Sequence, residues 1–144
     1  MTTQLAPYQS AIEKSRDKFI AAAGDLLRYE DESIFAMQAI GKTDYSITIA
    51  NKNPQSVQLA MRNLAATGLT LNPAHSYAYL VPRDGAIVLD LSYKGLIKIA
   101  TDCGAVLWAR ADIVYSGDTF TYRGPAAMPD VVCDPFKKDR GEVV

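Results

Sequence analysis

The sequence is poor in the residue types that build most catalytic and metal sites. Its 144 residues include only two cysteines and one histidine. Cys103 and Cys133 lack the spacing of a metal site or a disulfide framework, which indicates a reducing, cytoplasmic environment. His75 has no cysteine or carboxylate at ligand spacing, so it is more typical of a solvated turn than of a base. We therefore expect no metal and no catalytic residue.

Other common signatures are missing as well. The sequence lacks the glycine-rich loop that cradles nucleotide phosphates, so we expect no nucleotide cofactor and no ATP hydrolysis. No apolar run approaches the roughly 20 residues that cross a bilayer, and the start lacks a basic region followed by an apolar one. These absences predict an unexported protein without a membrane partner.

An excess of positive charge is also missing. Fifteen basic residues face sixteen acidic ones, and the formal net charge is −1. Any affinity for a polyanion must therefore come from basic side chains that cluster in space.

The first half of the chain has the apolar spacing of helices. Residues 7–28 predict one helix, and the acidic run 30–32 predicts the first turn of another that stops at Gly41. Asn53 before Pro54 predicts a capped helix, whose apolar stripe continues to a stop at Gly68.

The second half predicts a mixed α+β domain with antiparallel strands. Residues 77–91 read as a β-hairpin with an Asp84-Gly85 turn, and Ser92 begins a helix that Gly104 ends. Residues 105–115 predict a long strand, with a partner at 119–123. We expect N-terminal helices and a β-β-α-β-β core. The Pro- and Asp-rich segment after Gly124 resembles a loop and the start of a further strand, as in a fragment.

The start of the helix after the hairpin is the best candidate for a binding site. If Ser92 caps this helix, the amides of Lys94 and Gly95 point out of a positive dipole end that suits phosphate. Gly95 would let a sugar-phosphate backbone come close, and Lys98 lies one turn after Lys94 on the same face. The alternative is a solvated helix face with a Lys98–Asp102 pair.

Aromatic and arginine side chains accompany these lysines. Tyr77 and Tyr79 alternate to one strand face, and Tyr93 follows the hairpin, so they could stack on bases or pack in the core. Arg83, in the hairpin link, is a further candidate contact. Arg110 could touch phosphate, pair with a carboxylate or line a subunit contact.

Four segments then stand in a characteristic order: a Gly-Leu step followed by Leu-Asn-Pro at 68–74, Tyr-Ala-Tyr-Leu-Val-Pro at 77–82, Tyr-Lys-Gly-Leu-Ile at 93–97 and the tract 109–120. In this order and spacing they resemble the RecT/Redβ single-strand annealing proteins of phages and prophages. The resemblance covers about half of the chain strongly.

The resemblance implies a protein that binds single-stranded DNA, forms rings or helical filaments, and anneals complementary strands into a duplex without nucleotide hydrolysis. It also implies a partner exonuclease and the host single-strand-binding protein. Lys94 and Gly95 would lie at the DNA groove, with Asn72, Pro73 and Tyr77 shaping it.

The corresponding division of the chain has three parts. Residues 1–52 would form a helical, oligomerising region, residues 53–124 the DNA-binding core, and residues 125–144 a loop and the start of a strand. The alternative function is a self-assembling structural or adaptor protein without direct nucleic-acid binding. An adaptor should assemble identically with and without oligonucleotide.

Overall fold

The computed structural model describes residues 5–144, so the first four residues of the predicted N-terminal region lie outside it. The chain forms two compact units, Met1–Trp108 and Ala109–Val144. In the described range no helix combines the length and the apolar character needed to span a membrane.

Within residues 5–108, unit 1 contains six helices and a two-stranded antiparallel sheet. In chain order these are α1 Pro7–Lys14, α2 Arg16–Ala23, α3 Tyr29–Gly41, α4 Asp44–Lys52, α5 Pro54–Thr67, β1 Ala78–Arg83, β2 Ala86–Leu91 and α6 Tyr93–Asp102. The order of helices, hairpin and helix agrees with the predicted fold class.

The single helix predicted over residues 7–28 is wrong, because the structure divides it at Ser15. This residue is 2% exposed, and its Oγ donates to the Ile12 carbonyl oxygen at 2.6 Å. Such a bond from a serine side chain competes with the regular helical pattern and marks a break. The second piece, α2, ends at Ala23, before the predicted boundary.

Helix α4 was not predicted from the sequence. Its Thr43 cap accepts a hydrogen bond from the Ser46 N–H at 3.1 Å, but the β-branched run Ile47-Thr48-Ile49 is a poor helix former. The triplet Gly41-Lys42-Thr43 joins the end of α3 to the start of α4. In a phosphate-binding loop the corresponding residues follow a strand, so this triplet is not such a loop.

Helix α5 forms the centre of unit 1. Asn53 caps it through a hydrogen bond from the Ser56 N–H, and Gly68 ends it in the left-handed conformation, as predicted. The predicted apolar stripe is buried, namely Val57, Ala60, Met61 and Leu64. This stripe packs against α1, α2 and β2 and so joins the helices to the sheet.

The hairpin has the predicted turn. Asp84 and Gly85 have φ angles of 50° and 76°, the positive values that a tight two-residue hairpin turn requires. Its inner face buries Ala78, Leu80 and Ile87. The Ile87 N–H donates to Ser56 Oγ at 2.9 Å, which ties this face to α5.

Unit 2 contains two short antiparallel strands, β3 Thr119–Thr121 and β4 Asp130–Val132. The long strand predicted over residues 105–115 is wrong, because only Tyr115 makes a bridge, to Val143. The strand predicted at residues 119–123 as its partner is observed as β3, which pairs with β4 instead. The alternating pattern was misleading because most of these side chains are exposed, so no buried face fixes a strand there.

Taken together, the units have the predicted α+β class, with helices first and small antiparallel sheets after them. The functional division at residues 52 and 124 remains a prediction.

A buried carboxylate fixes the loop between α5 and β1. Glu32 of α3 is 3% exposed. Its side chain accepts hydrogen bonds from the Thr70 hydroxyl and from the Leu71 N–H, the latter at 2.8 Å. Desolvation raises the pKa of Glu32, and the two donors act in the opposite direction. The carboxylate therefore stabilises the loop through hydrogen bonds at the cost of its own burial.

We expect Glu32→Ala to lower the free energy of unfolding by about 1–3 kcal/mol, because it leaves the buried Leu71 N–H without an acceptor. Urea unfolding followed by circular dichroism measures this change. Glu30→Ala is the matched control, since Glu30 lies on the same helix but pairs with Arg16 at the surface. Equal stability of the two variants would contradict the anchoring role of Glu32.

Candidate nucleic-acid interface

The candidate site lies where β2 ends and α6 begins. Ser92 has an extended backbone, and its Oγ accepts a hydrogen bond from the Gly95 N–H at 3.1 Å. The predicted helix cap is therefore present. It occupies the Gly95 amide, however, so the expectation that this amide is free for phosphate is wrong.

The same serine ties α6 to the segment before β1. Its N–H donates to the Tyr77 carbonyl oxygen at 2.9 Å, and its Oγ donates to the Ser76 carbonyl oxygen at 2.6 Å. The start of the helix and the start of the hairpin are thus held together by two hydrogen bonds from Ser92 to backbone carbonyl groups, which fixes the positions of the side chains around them.

Gly95 is buried against this junction. A Cβ atom at this position would lie 2.4 Å from the Tyr77 carbonyl oxygen and 3.0 Å from Leu69 Cδ1. The space left by the missing side chain is therefore filled by the protein itself. The expectation that it admits a sugar-phosphate backbone is corrected: glycine is needed here for close packing of α6.

The two lysines differ in their surroundings. Lys94 is exposed. Lys98 Nζ lies 2.7 Å from Asp102 Oδ2, the pair that the sequence offered as the alternative. The hydrogen bond that Lys98 donates to Asp102 raises the pKa of Lys98, so the ammonium group stays charged. Because the pair is at the surface, a phosphate could replace Asp102 at little cost.

The tyrosines also have different environments. Tyr77 is half-buried against the core. Its ring and that of His75 pack in a T-shaped arrangement with centroids 5.3 Å apart, and Lys98 Nζ lies 6.0 Å from the Tyr77 centroid. Tyr79 is 44% exposed and Tyr93 is 70% exposed. Tyr77 therefore packs against the core, whereas Tyr79 and Tyr93 present ring surface to solvent.

The remaining predicted residues lie at different places. Asn72 Oδ1 accepts from the Ala74 N–H at 3.0 Å and so shapes the loop before Tyr77. Arg83 lies at the far end of β1, 3.6 Å from Asp90. Arg110 belongs to unit 2 and bonds to Asp112 at 2.9 Å, the pairing alternative given above.

Two structurally important residues were missed from the sequence, one at this site and one in the core. Ser76 adopts a φ of 57° and accepts the Ser92 hydroxyl, and no local pattern indicates it. Glu32 was treated only as part of an acidic first turn. It shares the buried face of α3 with Tyr29, Ala36 and Ile40, so the helical spacing could have identified it.

Within residues 5–144, no cluster of three or more His, Cys, Asp or Glu side chains is placed to hold a metal ion. Cys103 and Cys133 are both exposed free thiols.

These features define a capped helix start that carries exposed lysine and tyrosine beside a β-hairpin. A family model described as the RecT family matches residues 32–144, more than three quarters of the chain and all of this site. The chain therefore belongs to the RecT family, as the resemblance predicted. No curated protein and no solved structure matches it.

We expect Gly95→Ala to destabilise unit 1 by about 1–3 kcal/mol, the usual cost of overpacking, because the new methyl group meets the Tyr77 carbonyl. Thermal unfolding measures the effect. Gly41→Ala is the control, since nothing lies within 4 Å of a Cβ atom there and alanine is the better helix former. A Gly95→Ala protein as stable as the control would show that α6 does not need this close packing.

Proposed function

We propose that the protein binds single-stranded DNA and promotes annealing of complementary strands without nucleotide hydrolysis. The observation that carries this proposal is the exposed pair Tyr93 and Lys94 at the capped start of α6, next to Lys98. Membership of the RecT family supports the same class of function.

The electrostatics of α6 favour an anion at this end. The first turn of the helix contains no acidic residue, and the helix dipole places partial positive charge there. Lys94 adds a full charge in the same turn, while Asp102 lies at the opposite end of the helix. A phosphate group near Tyr93 and Lys94 would therefore be stabilised despite the net charge of −1.

The tyrosines supply the second element of single-strand binding. Exposed rings stack on bases of any sequence, and lysines neutralise the backbone phosphates. Contacts of this kind leave the hydrogen-bonding edges of the bases free, so a second strand can still pair with them. Neutralised phosphates also repel the incoming strand less, which is the physical basis of annealing.

The proposal includes assembly and partners. A homo-oligomer on DNA, an annealed duplex as product, a partner exonuclease and the host single-strand-binding protein all follow from the resemblance. Exposed apolar residues on unit 1, such as Leu26 and Ile34, 74% and 54% exposed, support contacts between subunits.

We expect the double variant Lys94→Ala with Lys98→Ala to bind a thymidine oligonucleotide more weakly at unchanged melting temperature. The slope of log K against log salt should fall by about 1.4, since each phosphate contact to a single strand contributes roughly 0.7. Fluorescence anisotropy over a salt series measures both quantities. Unchanged affinity and slope would remove α6 from the binding site.

Carboxylate variants provide the opposite change as a control. Asp102→Asn releases Lys98 and removes a negative charge, so affinity should rise. Asp31→Asn likewise releases Arg28, but on α3. If both variants raise affinity equally, the effect is one of net charge and does not locate the site.

We expect Tyr93→Leu to weaken oligonucleotide binding about tenfold without loss of stability, because a stacked base contributes about 1–3 kcal/mol and this ring is largely exposed. Tyr77→Leu should instead lower the melting temperature, since Tyr77 packs on the core. Anisotropy and thermal unfolding distinguish the two. Normal binding by Tyr93→Leu would exclude this ring as a stacking platform.

A further inference from the structure

A second group of basic side chains lies where α1 and α2 meet α5. Lys14, Lys18 and Arg62 line one small pocket there together with the amide side chains of Gln55 and Gln58. Its volume is about 110 Å³, several times the space that one water molecule needs, which admits a single small anion such as phosphate.

This pocket has no carboxylate in its lining. Helix α5 carries no acidic residue along its whole length, and the nearby Arg16 bonds to Glu30 at 2.7 Å. Within residues 5–144, none of Lys14, Lys18 and Arg62 has a carboxylate oxygen within the 4.0 Å of an ion pair. Three cations at one pocket repel one another, and that repulsion opposes folding.

We propose that this pocket binds a phosphate group of the nucleic-acid backbone, as a second contact on unit 1 in addition to the start of α6. This inference rests on the proposed DNA-binding function. A tetrahedral phosphate accepts hydrogen bonds from several directions, which suits a lining of two lysines, one arginine and two amides from three different helices, whereas a planar carboxylate suits a single fork.

The pocket is only partly inside the region that the family model matches. Lys14 and Lys18 precede residue 32, where the match begins, whereas Gln55, Gln58 and Arg62 lie inside it. Two of its three cations are therefore supplied by a part of the chain that the family match does not cover. It would lengthen the path of a bound strand, or hold one strand while the start of α6 holds another.

The test compares the full chain with the triple variant Lys14→Gln, Lys18→Gln and Arg62→Gln, which keeps much of each aliphatic stem. For a thymidine oligonucleotide we expect the salt slope to fall by about two, from roughly 0.7 for each of three contacts. The melting temperature without DNA should stay equal or rise, because the repulsion is removed. The control is the triple variant Arg28→Gln, Lys42→Gln and Lys52→Gln, which removes the same charge at residues of unit 1 that do not line the pocket.

The outcomes separate this inference from the proposed function. If the unmodified protein binds no oligonucleotide, the proposed function fails. If the unmodified protein binds the oligonucleotide but the triple variant has the same salt slope as the unmodified protein or as the control variant, the pocket is not a DNA contact. That result overturns this inference alone. Polyglutamate serves as a second probe. If the triple variant binds the oligonucleotide normally but no longer binds polyglutamate, the pocket recognises an acidic peptide, which also overturns the inference. A lower slope with an unaltered melting temperature supports it.

Discussion

The Tyr77 carbonyl oxygen joins the two parts of the candidate DNA site. It accepts the Ser92 N–H and lies against Gly95, so the start of the hairpin and the start of α6 come together at one backbone group. Packing at this distance tolerates no side chain on Gly95. The backbone that carries the exposed residues Tyr93 and Lys94 is therefore closely packed, and their positions do not depend on long flexible loops.

Charge is distributed so that a nearly neutral protein still has basic sites. Several carboxylates are held in surface pairs, such as Glu30 with Arg16 and Asp31 with Arg28, and Glu32 is buried. Lys94 and the cations around α5 are left without such partners in the described residues. The net charge of −1 is thus a poor guide to the local potential, which is the quantity that a phosphate experiences.

The predictable features were those that depend on local chemistry. The caps at Asn53 and Ser92 and the Asp84-Gly85 turn are set by a few neighbouring residues, and all three are present. The outcome at residues 105–115 depends on burial, which an alternating pattern does not reveal. Likewise, the roles of Gly95 and Glu32 depend on Tyr77 and Leu71, whose proximity arises only from the tertiary fold.

Unit 2 illustrates how unevenly stability is distributed. None of residues 109–144 is fully buried, and its strands are three residues long. Arg140 donates two hydrogen bonds to the Asp118 carboxylate in this unit, and this ion pair keeps the pKa of Asp118 low. With so little apolar area removed from water, local opening of unit 2 costs far less than opening of unit 1. Arg110 therefore lies on a segment that can rearrange while the core of unit 1 stays folded.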